Sequence, residues 1–346
     1  MLKPIALFLL MTGAVSAADA GSGDTTVAVW KHNARGAFTM SFDDSMGTHA
    51  RVAMPAIIQR GLVGTWFINP GQARHRKNSK VWEIDGPQNG QEYANHTWEH
   101  IGAEGYQEAD FQIGACARYI WALRRPEASK LLAFASGGGT TWSISELEIE
   151  EIMSRYHSVA RSSELSARTD LGVDGDKLIA KARESIDEGR WVAIHFHGIG
   201  DEWLSIDAEG FIRLLDFLRD HKDKIWSAGW SAAYQYAKER DHARIDLLEN
   251  SDARIRIHLT TGLNPELFAE PLTLTTQVPA GWSVVAVKQN GQSKPFHARN
   301  GMLQYEAIPD RGEIELQPEL KRKPDAQSHW LWLPRSTPSA PTSAGP

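Results

Sequence analysis

Phe38-Thr39-Met40-Ser41-Phe42-Asp43-Asp44-Ser45 is a short apolar run that stops abruptly at two adjacent carboxylates. It reads as a buried strand that delivers Asp43 and Asp44 to the rim of a sheet or barrel. Neighbouring residues on an extended strand point to opposite faces. Two adjacent Asp can therefore take different tasks only where the strand ends and the chain turns: one holds a metal ion while the other works on a water beside it. The plainer reading is a strand that ends in an Asp-rich turn, where Asp is common for backbone reasons.

Outward from this stretch, strand-like runs alternate with helical patterns as far as about Arg240. The runs are Ala37–Phe42, Gly64–Ile68, Glu92–Ala94, Leu131–Phe134, Ser158–Arg161, Trp191–His197 and Ile225–Ser227. Between them lie helical patterns over His49–Gln59, Asp110–Arg124, Ser143–Tyr156, Asp176–Glu188, Asp207–His221 and Trp230–Arg240. Ser143 and Glu146 have capping-box spacing. The alternation predicts an α/β fold, a distorted (β/α) barrel of about seven parallel strands, with an open doubly wound sheet as the alternative. No Gly-x-Gly-x-x-Gly follows a strand, and Gly137-Gly138-Gly139 lacks the Lys-Ser or Lys-Thr of a phosphate loop.

Beyond Arg240 the pattern changes to period two. Arg254–Leu259, Leu272–Val278, Trp282–Lys288, Met302–Ala307 and Glu313–Leu316 read as strands, with hairpin turns at Asn290-Gly291 and Asn300-Gly301. This predicts a small antiparallel, sandwich-like β domain over 242–320, after a barrel domain over 27–241. Residues 21–26 read as a flexible lead-in, and the Pro/Ser-rich segment 321–346 as a disordered tail, interrupted by His329-Trp330-Leu331-Trp332-Leu333.

The chain has 346 residues, 42% of them hydrophobic and 23% charged, the composition of an ordinary globular protein. A net charge of −6 gives no reason to expect a nucleic-acid partner. The 13 Trp hint at stacking on sugars, although core packing uses Trp as well. Residues 1–20 carry Lys3, an apolar run and small-residue cleavage sites, which read as a signal peptide. No later run is apolar enough to span a membrane, so the expected location is periplasmic or secreted. Cys116 is the single cysteine and reads as a small buried residue.

Two further stretches carry chemistry. His96-Thr97-Trp98-Glu99-His100 places two His four apart, on one face if the segment is helical, where they can bind one metal. The spacing is that of the zinc-protease helix, but the Glu is misplaced for that chemistry. Trp191-Val192-Ala193-Ile194-His195-Phe196-His197 is a strand ending in His at i and i+2, both on one face. Either is a candidate general acid or a fourth ligand; the plainer reading is a pair of core histidines. In the connection 69–88, Arg74, His75, Arg76 and Lys77 read as a solvated basic loop, with an acidic sugar as an alternative contact.

These residues resemble the polysaccharide deacetylases of carbohydrate esterase family 4. Ser41-Phe42-Asp43-Asp44 is similar to the family's Thr-Phe-Asp-Asp motif. Gly90 to His100 is similar to its Gly-His-Glu-Ile-Gly-Asn-His-Thr-x-x-His motif, Gly64–Ile68 to the Ala-Thr-Phe-Phe strand, and Phe196-His197 to its late Leu-His. The resemblance covers residues 35 to 240. It implies a distorted (β/α) barrel and a divalent metal, usually Zn2+, held by Asp44, His96 and His100. It also implies Asp43 as general base, His197 as general acid, and an acetylated polysaccharide or oligosaccharide as substrate. Two motifs depart from the pattern. Phe134-Ala135-Ser136-Gly137-Gly138-Gly139 stands where an Arg-x-Pro-Tyr motif orients the base, which makes Arg161 the candidate substitute. The Asp-Trp motif that tunes the acid is not apparent, and Asp170, Asp174 and Asp201 are unranked candidates. His195 competes with His197, and Gly138 and Trp98 are candidate substrate contacts. The alternatives to a deacetylase are a catalytically silent carbohydrate-binding protein and a metal-dependent hydrolase of another amide or ester.

Overall fold

The computed structural model describes residues 21–318 except 163, 283 and 284. The expected signal peptide, the tail and its Trp-rich interruption lie outside the described residues. Gly36–Asp43 is the central strand, and every one of its residues is buried. Phe38, Met40 and Phe42 point into one apolar cluster with Trp66, Ile194, Phe196 and Phe211. Phe42 lies against the rings of Trp66 and Phe196 at 4.3 and 5.1 Å. A strand covered on both faces belongs in the middle of a parallel sheet, which explains its near-continuous apolar run.

The sheet is a curled, all-parallel half-barrel. Its strand order is Ser158–Ala160, Leu132–Phe134, Glu92–Asn95, Thr65–Ile68, Gly36–Asp43, Trp191–Phe196 and Leu165–Ala167. Ile225–Ser227 pairs alongside the N-terminal half of the central strand. The two edge strands are consecutive in sequence, and Arg161 and Glu164, which lie between them along the chain, line the cavity described below. Leu165–Ala167 was not legible as a strand, because Leu-Ser-Ala holds no β-branched or aromatic residue to signal one.

The helices fall where the apolar spacing puts them, with shifted ends. The expected cap at Ser143 is replaced by one at Ser145, which forms the full capping box with Glu148. Ser143 is held extended, its N–H donating to Ala103 O at 2.8 Å, next to the short pairing of Thr141–Trp142 with Gly102–Ala103. The expected helix at 49–59 begins as a π-helical turn over His49–Ala53 before Met54–Gln59.

Two antiparallel sheets follow. Leu272–Gln277, Met302–Ala307 and Phe296–Arg299 form one, and Arg244–Asn250, Ile255–Thr260, Ile314–Pro318, Val285–Gln289 and Gln292–Ser293 the other. Both predicted hairpin turns have left-handed backbones, at Asn290 and Gly291 and at Asn300 and Gly301. The lead-in is not free: Thr25–Val27 adds a strand to the first sheet by pairing with Leu274–Thr276. Ile257, Leu274, Tyr305 and Leu316 share a core with Trp30 and Tyr236, so the β sheets are packed on the half-barrel. Among the described residues, no helix is long and apolar enough to cross a membrane.

Candidate active site

The C-terminal ends of the parallel strands surround a cavity of about 680 Å³. Asp43, Asp44, His96, His100, Arg161, Gly138, His195 and His197 all line it. Trp98 does not; its indole packs against Phe111 and Tyr119, with ring centroids 6.4 and 6.1 Å away.

Asp43 is the last residue of the central strand, and the backbone then turns left-handed at Asp44 (φ 78°) and Ser45 (φ 50°). This reversal lets adjacent carboxylates serve one cavity. It costs about 1 kcal/mol or more per non-glycine residue, and such strain persists only where surrounding contacts over-determine it. Ser45 Oγ accepts from Asn69 N–H at 3.0 Å and meets His75 Nδ1 at 3.1 Å.

His96 and His100 are not on a helix. The chain loops between them, with left-handed residues at Thr97 (φ 71°) and His100 (φ 62°). Asn95 Oδ1 accepts from Thr97 N–H at 2.9 Å, Asn69 donates to the carbonyls of His96 and Thr97, and His100 N–H donates to Thr97 Oγ1 at 3.0 Å. These side chains take the hydrogen bonds a helix would have made. The Nε2 atoms of His96 and His100 nevertheless converge on Asp44 Oδ1, at 3.4 and 3.3 Å. His100 lies so close to Gly137 that a Cβ there would be 2.4 Å from its Nε2. One glycine of the Gly137–Gly139 run is therefore explained by packing.

This donor set fits a divalent cation. Asp44 Oδ1 is buried without a hydrogen-bond partner, an arrangement that costs free energy unless something positive sits there. His96 Nδ1–H donates to Ala135 O at 2.9 Å, which leaves the Nε2 lone pair aimed at Asp44, the usual state of a metal-ligating imidazole. The candidate ligand atoms of Asp44, His96 and His100 lie within 4.8 Å of one another. Burial pushes the Asp44 carboxyl up, but the contact with His96 and the charge of His100 outweigh it and hold it below the usual range. Burial, then His96, lowers His100.

Asp43 is gripped by Arg161, Nη1 to Oδ1 at 2.6 Å and Nη2 to Oδ2 at 2.7 Å. Arg161 in turn lies over the Phe67 ring, 4.2 Å from its centroid. Burial alone would raise the Asp43 carboxyl; the Arg161 charge and the two hydrogen bonds, with His96 and His195, hold it far below the carboxylate range. His197 Nε2 stands 3.9 Å from Asp44 Oδ2, and its buried Nδ1 has no partner among the described residues. None of the three candidate Asp tunes it. Asp170 pairs with Arg168, Asp174 caps a helix at Lys177 N, and Asp201 pairs with Arg51. His195 lies beside it, ring centroids 5.7 Å apart. Burial pushes the His195 imidazole down to about 4, against the pull of Asp43.

Several residues of the site were not legible in the sequence. Glu164 lines the cavity behind Arg161, accepts from Ser41 Oγ at 3.3 Å, and is pushed up to about 7 by burial. Trp203 stands 60% exposed at the cavity mouth, its ring 5.3 Å from that of His197. Its loop is anchored by Glu202, whose Oε2 accepts from Thr48 N–H and Oγ1 at 2.8 and 2.7 Å. The basic stretch at 74–77 is not wholly solvated. Ala73–Lys77 is a short helix, His75 is buried, and Arg74 reaches to 4.0 Å from Asp44 Oδ1.

No protein-family model matches the chain. Among known proteins, a gellan lyase from a Bacillus species is 24% identical over 347 residues, covering 86% of this chain and 13% of that protein. A solved peptidoglycan deacetylase from Bacillus subtilis is similar at 17% identity and a TM-score of 0.45, over 61% of this chain and 96% of that one. A family 4 carbohydrate esterase from Streptomyces lividans, in complex with acetate, is similar at 15% identity and a TM-score of 0.37, over 56% and 92%. A family 4 pseudoenzyme from Bacillus anthracis is similar at 16% identity and a TM-score of 0.39, over 56% and 64%.

Proposed function

We propose that this protein is a metal-dependent hydrolase that removes acetyl groups, N- or O-linked, from a polysaccharide. The observation that carries this reading is the pairing of Asp43 with Arg161 immediately beside the Asp44, His96 and His100 cluster. A carboxylate kept ionised next to three convergent ligand atoms serves hydrolysis; carbohydrate binding alone has no use for it.

Asp44, His96 and His100 would hold the cation, zinc being the ion that two imidazoles and a carboxylate suit well. When bound, such an ion supplies Lewis acidity to a water and to the acetyl carbonyl. Asp43 takes the proton of the attacking water, and Arg161 fixes the direction of its lone pairs. His197, whose Nε2 stands 3.9 Å from Asp44 Oδ2, gives a proton to the departing sugar nitrogen or oxygen, so acetate and a free amine or hydroxyl leave. His195 supports that face of the cavity, and the open space over Gly138 leaves room for the sugar.

The silent-binder alternative draws on the missing Arg of the third motif. Arg161, arriving from the next strand, offers Asp43 an equivalent partner and favours catalysis. The test is acetate release from chitin oligomers, peptidoglycan and acetylated xylan by protein stripped of metal and resupplied with zinc. Zinc-dependent release from one class is expected. Glycan binding without release from any class would favour the binder.

A further inference from the structure

We propose that His75 is a positioning residue for the metal-ligand turn: through Ser45 it clamps Asp44 in the left-handed backbone that aims Oδ1 at His96 and His100. This inference rests on the reading of those three residues as ligands.

The clamp is a hydrogen-bond chain with a fixed direction. Asn69 N–H donates to Ser45 Oγ at 3.0 Å, so the Ser45 hydroxyl proton is free to point at His75 Nδ1, 3.1 Å away. His75 Nδ1 then accepts, and Nε2–H donates to Tyr119 Oη at 3.1 Å. The Tyr119 hydroxyl donates onward to Glu83 Oε1 at 3.0 Å. Every donor meets an acceptor only if His75 is neutral and protonated on Nε2. Burial keeps it so, pushing the imidazole down to about 4.

The ring itself cannot wander. It is stacked on Trp82, centroids 5.4 Å apart and planes 11° from parallel, with the Tyr119 ring edge-on at 5.5 Å. Trp82 is fully buried. The imidazole is therefore a rigid acceptor that ties the Asp44–Ser45 turn to the Tyr106–Leu123 helix carrying Tyr119. Without it, Ser45 (φ 50°) keeps an unfavourable backbone and loses one of two bonds that hold it there. Polar groups behind metal ligands commonly change metal affinity by about tenfold to a hundredfold.

The experiment is calorimetric zinc titration of the metal-stripped full chain. The variants are His75→Phe, His75→Asn, Ser45→Gly and Ser45→Gly with His75→Phe. His75→Phe keeps the stack and is expected to weaken zinc binding by about tenfold or more. His75→Asn restores an acceptor for Ser45 and is expected to recover most of that loss. Ser45→Gly removes both the hydroxyl and the strain, so adding His75→Phe should cost nothing further. If His75→Phe costs the same factor with and without Ser45, the residue acts through packing and the proposal fails. Unchanged affinity in His75→Phe overturns it as well. Should that variant not fold, Tyr119→Phe, which removes the acceptor of Nε2–H, must still weaken zinc binding, and unchanged affinity there overturns the proposal. Wild-type protein that takes up no zinc overturns the ligand reading and this inference together; uptake by wild type with no response to the variants overturns this inference alone.

Discussion

Arg161 and Asp43 are joined by two parallel hydrogen bonds of 2.6 and 2.7 Å, although 118 residues separate them. Both side chains are nearly buried, at 12% and 5% exposure. A fork of this kind fixes the carboxylate in orientation as well as in charge. Arg161→Lys keeps the charge but cannot make the paired bonds, and Arg161→Met removes both. We expect kcat for acetate release to fall by about 10²-fold or more in Arg161→Met, with a smaller loss in Arg161→Lys. Arg161→Met should also destabilise the fold by about 3–5 kcal/mol, because it strands a buried charge. Steady-state kinetics and denaturant unfolding check these outcomes, and wild-type kcat in both variants would remove Arg161 from the mechanism.

Metal uptake and activity should fail together. Asp44→Ala or His96→Ala removes one of the converging donor atoms, so each is expected to lose stoichiometric zinc by elemental analysis and to release no acetate. Chelation of the wild-type protein should abolish release, and zinc should restore it. Full activity in either variant would show that the cluster is not the metal site.

Gly137→Ala offers an independent route to the same site. The new methyl would lie 2.4 Å from His100 Nε2, on a backbone with φ +84° that disfavours any Cβ. The imidazole must move away from Asp44. Activity is expected to fall by about 10²-fold, as displacements near 1 Å at reacting groups commonly cost. Gly138→Ala meets nothing within 4 Å and should retain the metal, which zinc titration of the two variants compares directly.

Trp203→Ala tests the mouth of the cavity. The exposed indole beside His197 is well placed to stack on a sugar ring. We expect KM for a polymeric substrate to rise by about three- to tenfold, equivalent to about 1 kcal/mol, with little change in kcat. A fall in kcat at constant KM would instead assign Trp203 to the alignment of His197.

Stability should depend on pH through Glu239. This fully buried carboxylate accepts from Glu270 N–H at 3.0 Å, while its Oε1 has no partner among the described residues. Burial, with the charge of Glu270 beside it, pushes Glu239 from 4.5 up to about 8. A pKa higher in the folded than in the unfolded state means that the folded state holds the proton more tightly. Its stabilisation is complete below about pH 4.5 and is lost as pH rises through about 8. Glu239→Gln keeps an acceptor for Glu270 N–H and has no charge to bury. Its Tm should therefore fall less than that of wild type between about pH 5 and about pH 9. Parallel Tm curves would place the pH dependence elsewhere.

The legible parts of the fold share one property: their signals are local. Phe38 to Asp43 reads as a buried strand because apolar continuity and an abrupt polar stop are both visible within a few residues. The Asn290-Gly291 and Asn300-Gly301 hairpins read correctly because a tight turn asks only for residues that tolerate left-handed backbone. The Ser145 cap was missed by two residues because two overlapping Ser-x-x-Glu frames compete, and the pairing of Ser143 with Ala103 chooses between them. The His96–His100 pair was legible as a spacing but not as a turn. Its shape depends on Asn69 and Gln112, which bond its backbone from elsewhere in the chain.

The sequence by itself determined which groups are present and where they stand along strands: two carboxylates at one strand end, two imidazoles after another, and two more on a third. Those facts follow from strand alternation and from the order of motifs. Only the tertiary structure decided how these groups meet. Closing the half-barrel brings Arg161 across the gap to Asp43, turns Trp98 away from the cavity, buries His75 beneath Ser45 and sets Glu164 and Trp203 at the site. Such contacts join residues far apart in sequence, and their geometry comes from the curvature of the sheet and the packing of its core, which no local pattern of residues encodes.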